Sequence, residues 1–333
     1  MSLRKLLGLE GPAKSPLAAT ATGGVPRLLP QGVGVGLYGK LPTQADFVRL
    51  NAGTFATAGF DQWLEEGVGA VHAARGTPSK ALVAFFAHSP LIGSPCIGML
   101  GPSRDKVGRA FPAALFTYLD PALAGLHAFA GSAAGAFLFQ AQAVVAAMPE
   151  ATAAPDLSEL APPTGADQAR AAEDAAGALA ASPLGDFLDG LFGGTTPDVH
   201  AHALATCLAA CGTAKGRCPD KTAVTLELPA ADDRARDFWL AFLATALQWP
   251  TGAPTWLWDD RADRLLVALG PPAPSLFVAL AMPDWVGARH WVIRSQLPDT
   301  SPPTSLPPAL EGVVMTGGGT VADLLEATRN GLG

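Results

Sequence analysis

Between Pro121 and Pro149 the chain carries no Asp, Glu, Lys or Arg. A charge-free stretch of that length must either cross a bilayer or be buried in protein. Gly131 and Gly135 even fit the small-xxx-small pattern of paired membrane helices. The remaining residues point the other way. The stretch is mostly Ala and Gly, it is interrupted by His127, Ser132, Gln140 and Gln142, and no Lys or Arg flanks it closely. Its large apolar residues are too few for a lipid-facing surface. The reading is a core helix over 122–148, with no membrane insertion.

Composition supports a large folded body. A 333-residue chain with 49% hydrophobic and 15% charged residues can bury a full core without disulfides or metals. A net charge of −7, with no basic run, excludes nucleic acid as an expected partner. Four Cys in irregular positions do not make a disulfide framework. The opening MSLRKLLGLEGPAKS has too short an apolar core for a signal peptide, so a cytoplasmic location is expected.

Residues 1–31, rich in Gly, Pro and Ala, read as a flexible leader. Short apolar runs at 33–38, 81–87, 96–100, 113–119, 222–228, 255–259 and 264–269 have strand length. Helical spacing of apolar residues marks 60–74, 197–211, 234–247 and a short segment near 320–330. Residues 149–184, with five Pro among Ala, Asp and Glu, read as an insertion or linker carrying one exposed helix at 166–181. Strands interleaved with helices give an α/β layered sheet.

Familiar catalytic patterns fail on their chemistry. Gly34, Gly36, Gly39 and Lys40 satisfy two nucleotide-loop patterns, but Pro42 follows at once and Leu41 stands where a P-loop needs Ser or Thr. His200, His202, Cys207, Cys211 and Cys218 crowd together without the paired short spacings of a structural zinc site. No nucleophile elbow is present, and His88-Ser89 would point different ways from a strand end. No cofactor or metal is expected.

Where charge is scarce, its positions are informative. From Ala81 to Leu119 the only charges are Arg104, Asp105, Lys106 and Arg109, and a second cluster of Lys40, Asp46 and Arg49 follows the first strand. Solvated loops, with Asp46 or Ser103 bonding nearby backbone, are one reading. The other is that Arg109 and Lys40 pair with Asp46 or Asp105 and pin two loops at one sheet edge. Such an edge also suits protein docking.

The same clusters carry a family resemblance. Gly36-Leu-Tyr-Gly-Lys-Leu-Pro-Thr-Gln-Ala-Asp-Phe47 and Pro102-Ser-Arg-Asp-Lys-Val-Gly-Arg-Ala-Phe-Pro112 resemble the two signatures of the TagF (ImpM) family of type VI secretion accessory proteins. Phe60-Asp-Gln-Trp-Leu64 falls between them, as that family's Trp helix does. Where the family commonly has a basic residue and Gly before Asp-Phe, this chain has Gln44-Ala45. The resemblance covers about 33–285 and implies a three-layer αβα sandwich with a central mixed sheet over 32–285, leaving 286–333 as an extension of unknown role. It also implies a non-enzymatic, cytoplasmic, typically repressive regulator acting through a forkhead-associated scaffold. Alternatives are a structural component of the secretion assembly or, more weakly, an enzyme using the Gly34–Lys40 loop on a nucleotide.

Overall fold

The computed structural model describes residues 34–88, 95–120, 123, 125–215, 224–249, 253–293 and 305–332. The leader at 1–31, Ser89, Cys218 and Arg294 lie outside them.

The first half supplies β1 (Gly36–Lys40), β2 (Phe47–Leu50), β3 (Val83–Ala87), β4 (Cys96–Gly101) and β5 (Ala113–Tyr118). The second supplies β6 (Val224–Pro229), β7 (Thr255–Asp259), β8 (Arg264–Leu269) and β9 (His290–Val292). All nine described strands form one sheet in the order β2-β1-β5-β4-β3-β7-β8-β6-β9. Every pairing is antiparallel except β6 with β9, so the sheet is mixed. The halves join where β3 pairs β7, with Phe86 opposite Trp256.

Helices cover both faces. One face holds α1 (Gly53–Thr57), α2 (Phe60–Ala73) and α9 (Ser275–Ala281), packed on Val83, Phe85 and Leu257. The other holds α3 (Ala130–Ala133), α4 (Gly135–Ala147), α5 (Gly165–Ala180), α6 (Leu184–Phe192), α7 (Pro197–Lys215), α8 (Asp233–Leu247), α10 (Pro308–Thr316) and α11 (Val321–Leu332), packed on Ala84, Phe86 and Trp256. Alternate residues of each strand therefore enter opposite cores. Double coverage is why the strands read as continuous apolar runs rather than alternating ones. The architecture is the expected α/β one, a central mixed sheet flanked by helices.

The charge-free stretch is not one helix. A 3₁₀ turn at His127–Phe129 leads into α3, and the chain leaves helical geometry at Ala134 before α4 begins. The two arms are bent by 61°, and no single described helix is long and apolar enough to cross a membrane, although the bent pair taken together would qualify by length and composition. Phe129, Phe137, Ala141 and Val145 are instead buried in the core.

The helix expected to lie exposed at 166–181 is α5, and it packs through buried Gln168, Ala172, Ala176 and Leu179. Gln168 accepts the Asp120 N–H at 2.9 Å and donates to the Pro163 carbonyl at 2.9 Å. Small Ala at helical spacing buries little area per residue, so its inward stripe hides among its polar neighbours. Short elements without a periodic signal, β2, α1, α6, α9, α10 and β9, were not anticipated. After residue 285 the chain adds β9 to the sheet and lays Leu310, Val314, Leu324 and Leu325 into the core.

Candidate functional site

β1 runs into a turn at 41–46 and returns as β2, the outermost strand at this end of the sheet. Next to β1, β5 is reached from β4 through the loop 102–112. The two charge clusters thus occupy neighbouring loops because β1 and β5 are adjacent, although more than sixty residues separate them.

Asp105 is the centre of the arrangement. Its Oδ1 accepts the backbone N–H of Val107 at 3.1 Å and of Arg109 at 2.9 Å. That is an Asx-type turn, closed by the Gly108 N–H to the Asp105 carbonyl at 2.9 Å. Its Oδ2 accepts Lys40 Nζ at 3.0 Å and Arg109 Nε at 2.6 Å. The Asp105 side chain is fully buried although the loop around it is exposed. Burial alone would raise its pKa, but the Arg109 N–H and the Lys40 and Arg109 side chains outweigh that, holding the carboxyl well below the usual carboxylate range.

Further bonds lock the loops together. Ser103 Oγ donates to the Lys40 carbonyl at 2.5 Å, the Lys106 N–H to the Gln44 carbonyl at 2.8 Å, and Arg109 Nη2 to the Ala45 carbonyl at 2.9 Å. The last two reach positions 44 and 45 through the main chain. The chain's departure from the family pattern at Gln44-Ala45 therefore leaves this pinning intact.

Aromatic side chains from both signatures pack beneath. Phe47 stacks on Tyr38 at 5.4 Å and meets Phe111 edge-on at 4.9 Å, and Lys40 Nζ lies 5.3 Å from the Phe47 ring. Tyr38 donates its hydroxyl to Glu65 at 2.8 Å. Its pKa is raised by burial first and by that acceptor second.

Of the seven residues singled out from the sequence, Lys40, Ser103, Asp105 and Arg109 form this one knot. Asp46 does not join it. It is exposed and accepts the Phe47 N–H at 2.8 Å. Arg49 is exposed on β2 with its guanidinium 5.7 Å from the Tyr38 ring. Arg104 faces outward, 3.6 Å from Glu150, with both side chains largely exposed.

Sequence reasoning missed Phe47, Phe111 and Glu65, and it missed exposed Val107 at the loop tip. The aromatic pair stands at the signature ends, Phe47 closing the first and Phe111 one residue before the close of the second. It also missed a pocket of about 170 Å³ beside the 102–112 loop, walled by Val68, Val71, Pro78, Leu100, Phe111 and Phe277. The pocket is a tertiary product of α2, the 77–81 loop, β4 and α9.

The local geometry differs from that of a nucleotide-binding loop. Gly34–Lys40 enters a buried sheet strand followed by an antiparallel strand, not a helix, and the Lys40 ammonium is committed to Asp105. Gly39, at φ 141°, is there because a Cβ would overlap Pro112 at the end of the 102–112 loop and Ala113 at the start of β5. Among the described residues no group of three or more His, Cys, Asp and Glu is placed to hold a metal ion. Cys207 and Cys211 are buried on α7, and the His200 ring stacks on Phe192 at 5.3 Å.

Comparison with known proteins agrees with the signatures. Residues 36–161 match the family described as TagF N-terminal domain, Type VI secretion system-associated. That span contains both loops of the knot and ends before α5. Among solved structures, PA0076 from Pseudomonas aeruginosa PAO1 is similar at 23% identity, covering 43% of this chain and 78% of its own, with a TM-score of 0.30. No curated protein matches the chain at a significant level.

Proposed function

We propose that this chain, whose residues 36–161 match the TagF N-terminal domain, Type VI secretion system-associated, is a non-enzymatic, cytoplasmic regulator that acts by binding another protein of that machinery. The observation that carries this reading is the Asp105 knot. It fuses two loops, distant in sequence, into one stiff edge and leaves Asp46, Arg49, Arg104, Lys106 and Val107 pointing outward. Charges consumed internally make the edge rigid, and the exposed ones around an apolar tip supply the composition of an interface rim. A preformed edge loses little conformational entropy on binding.

The partner we propose is a forkhead-associated scaffold of the secretion system, and the direction of control is repression. Residues 32–285 would be the module that does this work. Affinity capture at native expression, followed by mass spectrometry, tests the reading. Recovery of secretion-system components with the native chain, and their loss with Val107→Asp at unchanged melting temperature, is the expected result. Failure of the native chain to recover any such component overturns it.

A further inference from the structure

The pocket beside the 102–112 loop runs from the surface down to the sheet. Thr77, Lys80 and Ala110 at its mouth are exposed, whereas Val83 and Leu100, cross-strand partners on β3 and β4, are buried at its floor. We propose that it binds a small monocarboxylate whose apolar body has about six to eight carbons. The body lies inward on Val83 and Leu100, and the carboxylate meets Lys80.

The interior sets the body. Its walls include Val68, Val71, Phe111, Phe277 and Leu280, and its volume is about 170 Å³. A cavity of roughly 150 Å³ takes benzene. No Asp or Glu stands on the wall, and Lys80 is its one charged residue among the described residues. The site is also preformed. Pro78, Pro102 and Pro112 fix φ in both loops of the wall. Ser103, also on the wall, donates to the Lys40 carbonyl at 2.5 Å and accepts the Phe111 N–H at 3.0 Å through its own carbonyl. Small ligands bind chiefly where such a cavity already exists.

The mouth sets the head group, because it offers donors without acceptors to match. Lys80 has no ion-pair or hydrogen-bond partner among the described residues. Ser79 Oγ accepts the Ala81 N–H at 3.1 Å and keeps its own proton to give, and Thr77 adds a second hydroxyl. An ionised carboxylate accepts only, so it suits this set.

Longer-range charge agrees. Residues 75–81 and 102–112 carry Arg75, Lys80, Arg104, Lys106 and Arg109 against Asp105, a net +4, so the whole-chain −7 leaves −11 on the remainder. Glu65 and Glu66 precede Val68 on α2, but Glu65 accepts the Tyr38 hydroxyl at 2.8 Å and Glu66 the Gln62 amide at 2.7 Å. With both counted, the surround keeps a net +2. An amine would meet like charge there, and a neutral head group would leave the Lys80 ammonium without a counter-charge. This inference stands whether or not the Asp105 edge binds a secretion protein.

Calorimetry of the full chain with octanoate, octanamide and octylamine tests it. Octanoate is expected to bind about threefold to fivefold more tightly than octanamide, as one exposed ion pair allows, and octylamine more weakly than either. From butanoate to octanoate each added methylene is expected to tighten binding about fourfold, and dodecanoate gains nothing more because the pocket is full. Lys80→Glu is expected to invert the order, so that octylamine binds better than octanoate. Val68→Trp, which fills the pocket from its wall, is expected to abolish binding, with circular dichroism confirming the fold. Slower amide exchange over 77–81 and 102–112 with octanoate locates the site in the native chain, whatever the fate of that variant. No binding at millimolar octanoate, equal affinity for octanoate and octanamide, or an order unchanged by Lys80→Glu overturns the inference. So does binding that survives in folded Val68→Trp, which assigns the acid to another apolar surface. Tighter binding of an acetylated, amidated Glu-Glu-Leu-Glu-Glu peptide than of octanoate, lost in the same variants, assigns the pocket to an acidic protein partner and likewise overturns it.

Discussion

Two Arg–Asp constellations in this chain are built on opposite principles. At the sheet edge, one carboxylate gathers four donors, with Lys40 and Arg109 on one oxygen and two backbone N–H groups on the other. In the interior, one guanidinium gathers acceptors and rings. Arg236, fully buried, donates to Asp237 at 3.0 and 2.8 Å and to Asp233, and lies 4.5 Å from the Trp258 ring and 5.9 Å from that of Trp256. Ser132 Oγ completes the group with a 2.5 Å bond to Asp237. Burial pushes the Asp237 carboxyl up despite Arg236, whereas donors hold Asp105 down. The number of donors around a carboxylate, set against the water it has lost, decides which way its affinity for protons moves.

The comparison breaks hardest at Arg236. Removing it as Arg236→Ala leaves Asp237 buried without its cation, and breaking such a pair costs about 3–5 kcal/mol. Chemical denaturation measures it. The interior site joins α3 to α8, so loss of Arg236 reaches the core, while loss of Lys40 reaches one edge. Lys40→Met removes one charged hydrogen bond, worth about 1.5–3 kcal/mol, but leaves Arg109 and two N–H groups on Asp105. A larger loss at Lys40 than at Arg236 would reverse the ranking.

Gly131 sharpens the contrast. In an ordinary helix Gly→Ala stabilises by roughly 0.5–1 kcal/mol. Here a Cβ would run into the Arg236 guanidinium, so Gly131→Ala is expected to cost about 1–3 kcal/mol, the usual price of overpacking.

The two sites also differ in acid. The pKa of Asp105 falls on folding, so its contribution is complete above the unfolded value near 3.9 and drains away as pH falls through the lower folded value. Asp237 is raised on folding, so the folded state binds its proton first, and stability is gained as pH falls through that raised value. Melting temperatures from pH 6 to 2 should show a shallower acid loss in Asp105→Asn than in the native chain. In Asp237→Asn the loss should be steeper on first acidification.

How much of this was legible follows from the same contrast. The edge knot was readable because its members cluster in two short segments, one an Asp-x-Val-Gly turn whose chemistry is local. Which acid would pair was not, since Asp46 and Asp105 are equally near in sequence terms and only the β1–β5 register selects one. The interior site was invisible. Arg236 and Asp237 sit in a helix whose Asp232 and Asp233 read as a solvated acidic start, and nothing local says that Gly131, about a hundred residues away, clears room for a guanidinium. Seven of the nine described strands follow from their apolar runs, whereas β2 and β9 are too short to show one. The break at Ala134 was not, because Ala and Gly permit a straight helix and a bent one alike, and tertiary packing chose.

Arg104 gives the smallest expected stability effect and the cleanest separation of edge rigidity from edge recognition. Its guanidinium is 3.6 Å from Glu150 with both side chains largely exposed, the kind of pair worth at most about 0.5 kcal/mol. Arg104→Ala is therefore expected to melt within about 2 °C of the native chain. It leaves every bond to Asp105 in place, because Arg104 makes none of them. If the outward charges form the docking rim, the same variant weakens capture of secretion components, and Arg104→Lys, which keeps the charge, restores part of it. A normal melt with undiminished capture would remove Arg104 from the rim and place recognition on Val107 and the β2 side. A lowered melt would show that the loop depends on this exposed pair as well as on the knot.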